Sequence, residues 1–175
     1  YAEELGFTPA NVLDLGANIG LTSLWLHQRH AGRTGAGFQL VAVEAAAENA
    51  MIAQANLAAN GVPAEVLHAA AGLVSGQAWF ETRTESNLGR MLPHEAPGTV
   101  PVPVVGIREL LERFPQGQVD LVKMDIEGGE EALLSHDTGW LAGVRALMVE
   151  WHDDRADSRP LIQSLVAAGF EHRPL

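Results

Sequence analysis

The sequence predicts an α/β fold, a mostly parallel, doubly wound sheet with helices on both faces, and three observations carry that prediction. Short apolar runs rich in Val, Leu and Ile alternate with helical stretches along the chain, the signature of successive strand–helix–strand units. The runs are near-continuous in apolar residues, as strands covered on both faces are. At 175 residues with 47% hydrophobic content, the chain can bury one core, and a single domain over 1–175 is expected.

Each element follows in order. Asn11–Leu15 reads as the first strand, then a glycine-containing turn and a helix to about Arg29. Gln39–Glu44 is the second strand, and the Ala-rich stretch 45–60 is a helix ended by Gly61. Ala64–His68 is the third strand. Two shorter strand-like pieces follow, 78–82 and 100–105, separated by a polar, Pro-containing loop at 83–98, a length that suits a substrate-side flap. Pro101 and Pro103 put the second piece at a sheet edge or outside the main sheet. A short helix at 108–114 leads to the fourth core strand at 119–125 and a helix at 130–136. The fifth strand is 144–150, the next helix 160–168, and 170–173 a last short strand. A core order of 3-2-1-4-5 would set the fourth strand between the first and the fifth.

Charge narrows the partners. Eleven basic against 22 acidic residues give a net charge of −11, which argues against nucleic-acid and anionic-membrane surfaces. No apolar run reaches the ~18 residues that a membrane span needs, and no basic-then-apolar leader opens the chain. The absence of cysteine removes disulfides and thiolate metal sites and fits a reducing, cytoplasmic setting. The chain opens at Tyr1 and not at Met, so a trimmed chain is expected.

The most informative stretch is Val119-Asp-Leu-Val-Lys-Met-Asp-Ile-Glu-Gly-Gly-Glu130. Lys123 and Asp125 stand two positions apart on an otherwise apolar strand, so both point to one face. Charges inside a covered sheet are paired or face a cleft. Glu127, Glu130 and Glu131 follow at the carboxyl end of the strand, where open α/β sheets bind ligands. The glutamates could equally compensate the N-terminus of the next helix, and Lys123 with Asp125 could be a structural ion pair.

The first strand-to-helix turn, Asp14-Leu-Gly-Ala-Asn-Ile-Gly20, lets backbone N–H groups approach a ligand closely. Counted from Gly16, a G-x-G-x-x-G dinucleotide fingerprint would need glycine where Asn18 and Leu21 stand. No G-x-x-x-x-G-K-[ST] phosphate loop occurs. A nucleoside ligand without a pyrophosphate therefore fits better than a dinucleotide. Glu44 ends the second strand, where an acid can accept hydrogen bonds from ribose hydroxyls; alone, it could be an exposed carboxylate favoured by the next helix dipole.

These blocks, with Val41-Ala-Val-Glu44, resemble the FkbM-type S-adenosylmethionine-dependent methyltransferases, in order and over about residues 11–170. The fourth-strand block is the most specific of the three. The resemblance implies a Rossmann-like class I methyltransferase fold and O-methylation of a hydroxyl on a small molecule or carbohydrate. It further implies that Asp14, Gly16, Asn18 and Gly20 surround the methionine end of S-adenosyl-L-methionine, that Glu44 holds the ribose and that 69–71, with Ala70 and Ala71, flanks the adenine. In the sheet order 3-2-1-4-5 Asp125 would sit beside the cofactor turn, and it is expected to serve both the cofactor and catalysis. Two departures stand out: Ala45 replaces the family's usual proline, and the chain ends at Leu175 with no segment for an antiparallel seventh strand. A C-terminally truncated domain or a shorter sheet is expected.

Methyl transfer rests mainly on holding the acceptor oxygen ~3–3.5 Å from the methyl carbon, and an alcohol must also give up its proton. Lys123 and Asp125 form a positioning pair, and Glu127, with no such fixed partner along the strand, is the expected general base, with His152 next in line. Asp125, Glu150 and His152 could together form an oxygen/nitrogen cation set, but no spacing fixes a geometry, and no metal is expected. His27 and His30 share a helix face as surface groups, and Trp25 belongs to the core. Trp79, Phe80 and Arg90 flank the long loop and could contact the acceptor. A non-catalytic nucleoside-binding scaffold is the second reading and a nicotinamide oxidoreductase the third; the retained Lys-x-Asp-x-Glu speaks against the one and the broken fingerprint against the other.

Overall fold

The computed structural model describes residues 5–34, 37–81, 90–126, 129–151 and 157–173. Its elements, in order, are β1 (Asn11–Leu15), α1 (Leu21–His30), β2 (Gln39–Glu44), α2 (Ala47–Ala59), β3 (Ala64–His68), β4 (Ala70–Gly72) and β5 (Gly76–Glu81). They continue with β6 (Arg90–Leu92), β7 (Thr99–Gly106), α3 (Ile107–Leu111), β8 (Leu121–Met124), α4 (Glu130–Leu134), β9 (Leu147–Val149) and α5 (Ser158–Ala167).

Five strands form a parallel sheet in the order β3-β2-β1-β8-β9, the expected arrangement. The two-residue alternation of each strand sorts its side chains onto two faces. Val12, Leu40 and Leu121 face α1 and α2, where they pack with Leu26 and Leu57. Leu13, Val41, Val43, Val122 and Met124 face the other way, onto Leu110, Leu133, Leu134, Leu161 and Leu165 of α3, α4 and α5. Burial of both faces explains the near-continuous apolar runs. The protein thus has the expected Rossmann-like, doubly wound architecture. Among the described residues, no helix is long and apolar enough to cross a membrane.

A second sheet, ordered β4-β7-β5-β6, stands apart from the first. The prolines of β7 do lie outside the main sheet, yet their strand is interior to this one. Antiparallel pairs alternate between hydrogen-bonded and open, and Trp79↔Pro101 and Gln77↔Pro103 fall on the same alternate set. A proline can sit only in the open pairs, with its missing N–H turned away from β5. On that side β4 joins only from Val104 onward, so neither proline removes a ladder bond.

Three expectations change. The stretch 170–173 forms no strand: the Phe170 N–H closes α5 onto the Leu165 carbonyl, and Glu171 and Arg173 pair with each other. The stretch 83–98 is not one irregular loop, because residues 90–92 form β6 and close a hairpin with β5; residues 82–89 lie outside the described residues. The core strands β8 and β9 are shorter than read from the sequence, four and three residues, with only a Val119↔Val144 bridge before them.

Candidate functional site

The strand ends of the main sheet open onto a cleft of about 250 Å³. Gly16, Asn18, Glu44, Ala70, Ala71 and Asp125 all line it, so six residues drawn from four separate segments converge. Ala69, Asn49, Phe80, Met91, Ile126 and Glu150 complete much of the wall.

The turn after β1 is fixed from both sides. Gly16 has φ +74° and Asn18 φ +50°, left-handed values that glycine and asparagine tolerate best. The N–H groups of Gly16 and Ala17 both donate to the Val43 carbonyl, at 2.9 and 3.0 Å. A Cβ on Gly16 would fall 1.7 Å from the Asp125 carbonyl oxygen, so only glycine lets β1 and β8 pass so closely. Gly20, at φ +82°, does not line the cleft; a Cβ there would meet Ala53 of α2 at 3.2 Å. Its role is to seat α1 on α2.

Glu44 is 8% exposed. One carboxylate oxygen accepts the Asn18 N–H and the other the Ala46 N–H, both at 2.8 Å. Two backbone donors therefore aim one carboxylate, and each oxygen keeps lone-pair capacity beyond its one bond. Burial pushes the Glu44 carboxyl above its ordinary range, and the two N–H donors and Lys123 partly offset that rise. The surface-carboxylate alternative is excluded by this burial.

Asp14 and Lys123 lie beneath the cleft floor. Asp14 is fully buried, and one of its oxygens accepts the Ser23 hydroxyl of α1 at 2.6 Å. The Lys123 ammonium stands 3.3 Å from the other oxygen and 3.6 Å from Asp125, and donates to the Gly16 carbonyl at 2.6 Å. The lysine therefore serves Asp14 and the glycine turn as much as Asp125. The sequence places Lys123 and Asp125 on one face; the register Asp14↔Lys123 between β1 and β8 adds the third charge.

Asp125 and Glu150 face the cleft together. Glu127 and His152 lie outside the described residues. Glu130 is buried and accepts the Ile126 N–H at 3.0 Å, so it caps the turn into α4, while Glu131 is exposed in the same first turn. Among the described residues, no three acidic or histidine side chains converge to hold a metal ion.

His30 is not the surface group the helix pattern suggests. It is 4% exposed, neither ring nitrogen has a hydrogen-bond partner among the described residues, and burial with Arg29 and Arg33 nearby lowers its pKa. His27 packs edge-on against Phe38. Trp25 packs partly into the α1-side core but also borders a second cavity. Trp79 sits on β5 beside Phe80, opposite Leu92.

Sequence reasoning overlooked Asn49 and Met91 in the cleft wall. Asn49 is a 3%-exposed polar residue in the first turn of α2, and its polarity within an Ala-rich helix is the one available signal. Met91 enters through the pairing Phe80↔Met91 across the β5–β6 hairpin, which no local pattern announces.

Comparison with known proteins supplies a family. Residues 14–171 match the family described as "Methyltransferase FkbM domain". Two solved structures of WbdD, one with the kinase inhibitor LY294002, are similar in part. They are 19% and 17% identical, with TM-scores of 0.44 and 0.47, over 84% and 91% of this chain. The matched region is 25% and 31% of the WbdD chains, so this chain spans roughly a quarter to a third of their length. No curated protein sequence matched.

Proposed function

This chain belongs to the FkbM methyltransferase family, and from that premise we propose that it moves a methyl group from S-adenosyl-L-methionine to a hydroxyl of a small molecule or carbohydrate. The observation that carries the proposal is the Glu44 carboxylate, held by two backbone N–H groups in a cleft also lined by the apolar Ala70, Ala71, Phe80 and Met91. A carboxylate accepting ribose hydroxyls beside a slot for a flat base suits an adenosine-containing ligand.

In this reading Ala70 and Ala71, backed by Phe80 and Met91, face the adenine, and Glu44 holds the ribose. Gly16, Asn18 and Asp125 face the methionine end. Asp14 and Gly20 act from outside the cleft, Asp14 by anchoring Lys123 and α1, Gly20 by setting the start of α1 on α2. The cofactor supplies a sulfonium-bound methyl group, which the acceptor oxygen takes as the carbon–sulfur bond breaks onto sulfur and the hydroxyl proton passes to a carboxylate. Asp125, paired with Lys123 at 3.6 Å, positions the acceptor. Glu127 takes the proton. No divalent ion is needed; activity lost to EDTA and restored by Mg²⁺ would overturn that point.

Calorimetry tests the assignment. Glu44→Ala should weaken S-adenosylmethionine binding by about 1–3 kcal/mol, the cost of leaving the ribose hydroxyls unpaired. Unchanged affinity would remove Glu44 from the ribose.

A further inference from the structure

We infer that a second cavity, between α1 and β9, seats the methyl acceptor, and that it selects a neutral alcohol carried on an apolar body of about two rings. This rests on the methyltransferase reading and says where the other reactant lies and what it is.

The cavity measures about 340 Å³. Leu21, Thr22 and Trp25 of α1 form one wall, Met148 of β9 another, and Asp125 and Glu150 close the end. Among the described residues, Asp125 and Glu150 are the two that line both this cavity and the cofactor cleft. An acceptor has to share space with the reactive methyl, because transfer needs contact at ~3–3.5 Å. The larger cavity between α5 and β9 shares no lining residue with the cofactor cleft, so it cannot present an acceptor there.

The lining sets the chemistry. Leu21 is 59% exposed at the first position of α1, a place where an acidic residue would suit the helix dipole better. Trp25 stands one turn further along the same wall. These apolar groups reward an apolar ligand and offer a many-hydroxyl sugar few partners, and each hydroxyl buried without a partner carries a penalty. A cavity of about 150 Å³ holds one benzene ring, so this one has room for a bicyclic body. Anions are disfavoured by Asp125 and Glu150 at the inner end. Lys123 also lines the cavity, 3.6 Å from Asp125, but its single charge is shared with Asp14 at 3.3 Å and its ammonium donates to the Gly16 carbonyl, so the end carrying Asp125 and Glu150 stays net negative. The reactive hydroxyl would then point at the two carboxylates and the apolar body at Trp25.

The test uses the whole chain saturated with S-adenosylhomocysteine and three probes, 2-naphthol, 2-naphthoate and glucose, followed by saturation-transfer NMR and calorimetry. We expect 2-naphthol to bind at least tenfold more tightly than either of the others. Trp25→Ala and Leu21→Asp should each weaken 2-naphthol at least tenfold while leaving S-adenosylhomocysteine affinity unchanged. Leu21→Asp guards against misfolding, since the site is exposed and a carboxylate there favours the helix. Glucose or naphthoate binding as well as 2-naphthol, or 2-naphthol binding indifferent to both substitutions, would overturn the inference alone. Failure of the wild-type chain to bind S-adenosylhomocysteine would overturn the methyltransferase reading itself, before any probe is added.

Discussion

The Lys123 ammonium donates a hydrogen bond of 2.6 Å to the Gly16 carbonyl, tying the middle of β8 to the turn that leaves β1. The same ammonium neutralises Asp14 on β1 and approaches Asp125 at the end of β8. One buried cation thus fixes the floor of the cleft at the strand ends.

Removing that cation should be costly. Lys123→Met would leave the fully buried Asp14 carboxylate, among the described residues, with only the Ser23 hydroxyl, and breaking a buried pair from one side typically costs about 3–5 kcal/mol. Urea unfolding should show a loss of that order. Adding Asp14→Asn to Lys123→Met should recover part of it, because the orphaned charge is gone. A single variant as stable as the wild type would show that the network does not hold the floor.

Glycine at position 16 should be irreplaceable. An alanine there carries both the left-handed φ penalty and a collision with the Asp125 carbonyl, and Gly16→Ala should lose at least about 2 kcal/mol. Gly32→Ala is the matched control: nothing lies within 4 Å of its Cβ position, and its cost should stay within about 0.5 kcal/mol. Equal thermal midpoints for the two variants would contradict the close passage of β1 and β8.

Glu44 should leave a pH signature in the ligand-free protein. Its carboxyl is raised in the fold above the ordinary value of 4.5, so the folded state favours the protonated form. The stability this contributes is full below the unfolded value and is lost as pH rises through the folded one. Relative to Glu44→Gln, the wild type should therefore lose thermal midpoint as pH increases upward from about 4.5. A difference that grows in favour of the wild type over that range would reverse the assigned sign.

Asp125 and Glu127 should separate in kinetics once an acceptor is in hand. Glu127→Gln should cut turnover by about 10²–10⁴-fold, the usual contribution of a general base, with cofactor affinity nearly intact. Asp125→Asn should instead impair positioning and raise the acceptor KM. Near-normal turnover in Glu127→Gln would move the base elsewhere, and His152 is the next residue to replace.

Much of this was legible in the chain because it depends on local pattern. The five core strands announce themselves by apolar runs, and the segments after β1, β2 and β8 by charges and glycines at strand ends. What depends on long-range pairing was not legible. The β5–β6 hairpin that brings Met91 opposite Phe80 is set by strand register, which no local pattern announces, and β4 is three residues long. The expected strand at 170–173 failed for the converse reason: its local pattern was adequate, but the Phe170 N–H was already committed to closing α5. His30 was misplaced because helical spacing gives a face, while burial depends on what packs against it.

Parallel titration of the protein with S-adenosylmethionine and with NAD tests the central claim most directly. A broken dinucleotide turn and the proposed contact of Glu44 with the ribose predict saturable binding of S-adenosylmethionine, weakened by Glu44→Ala, and no measurable binding of NAD. NAD binding at comparable affinity, or a chain that binds neither, would contradict the account.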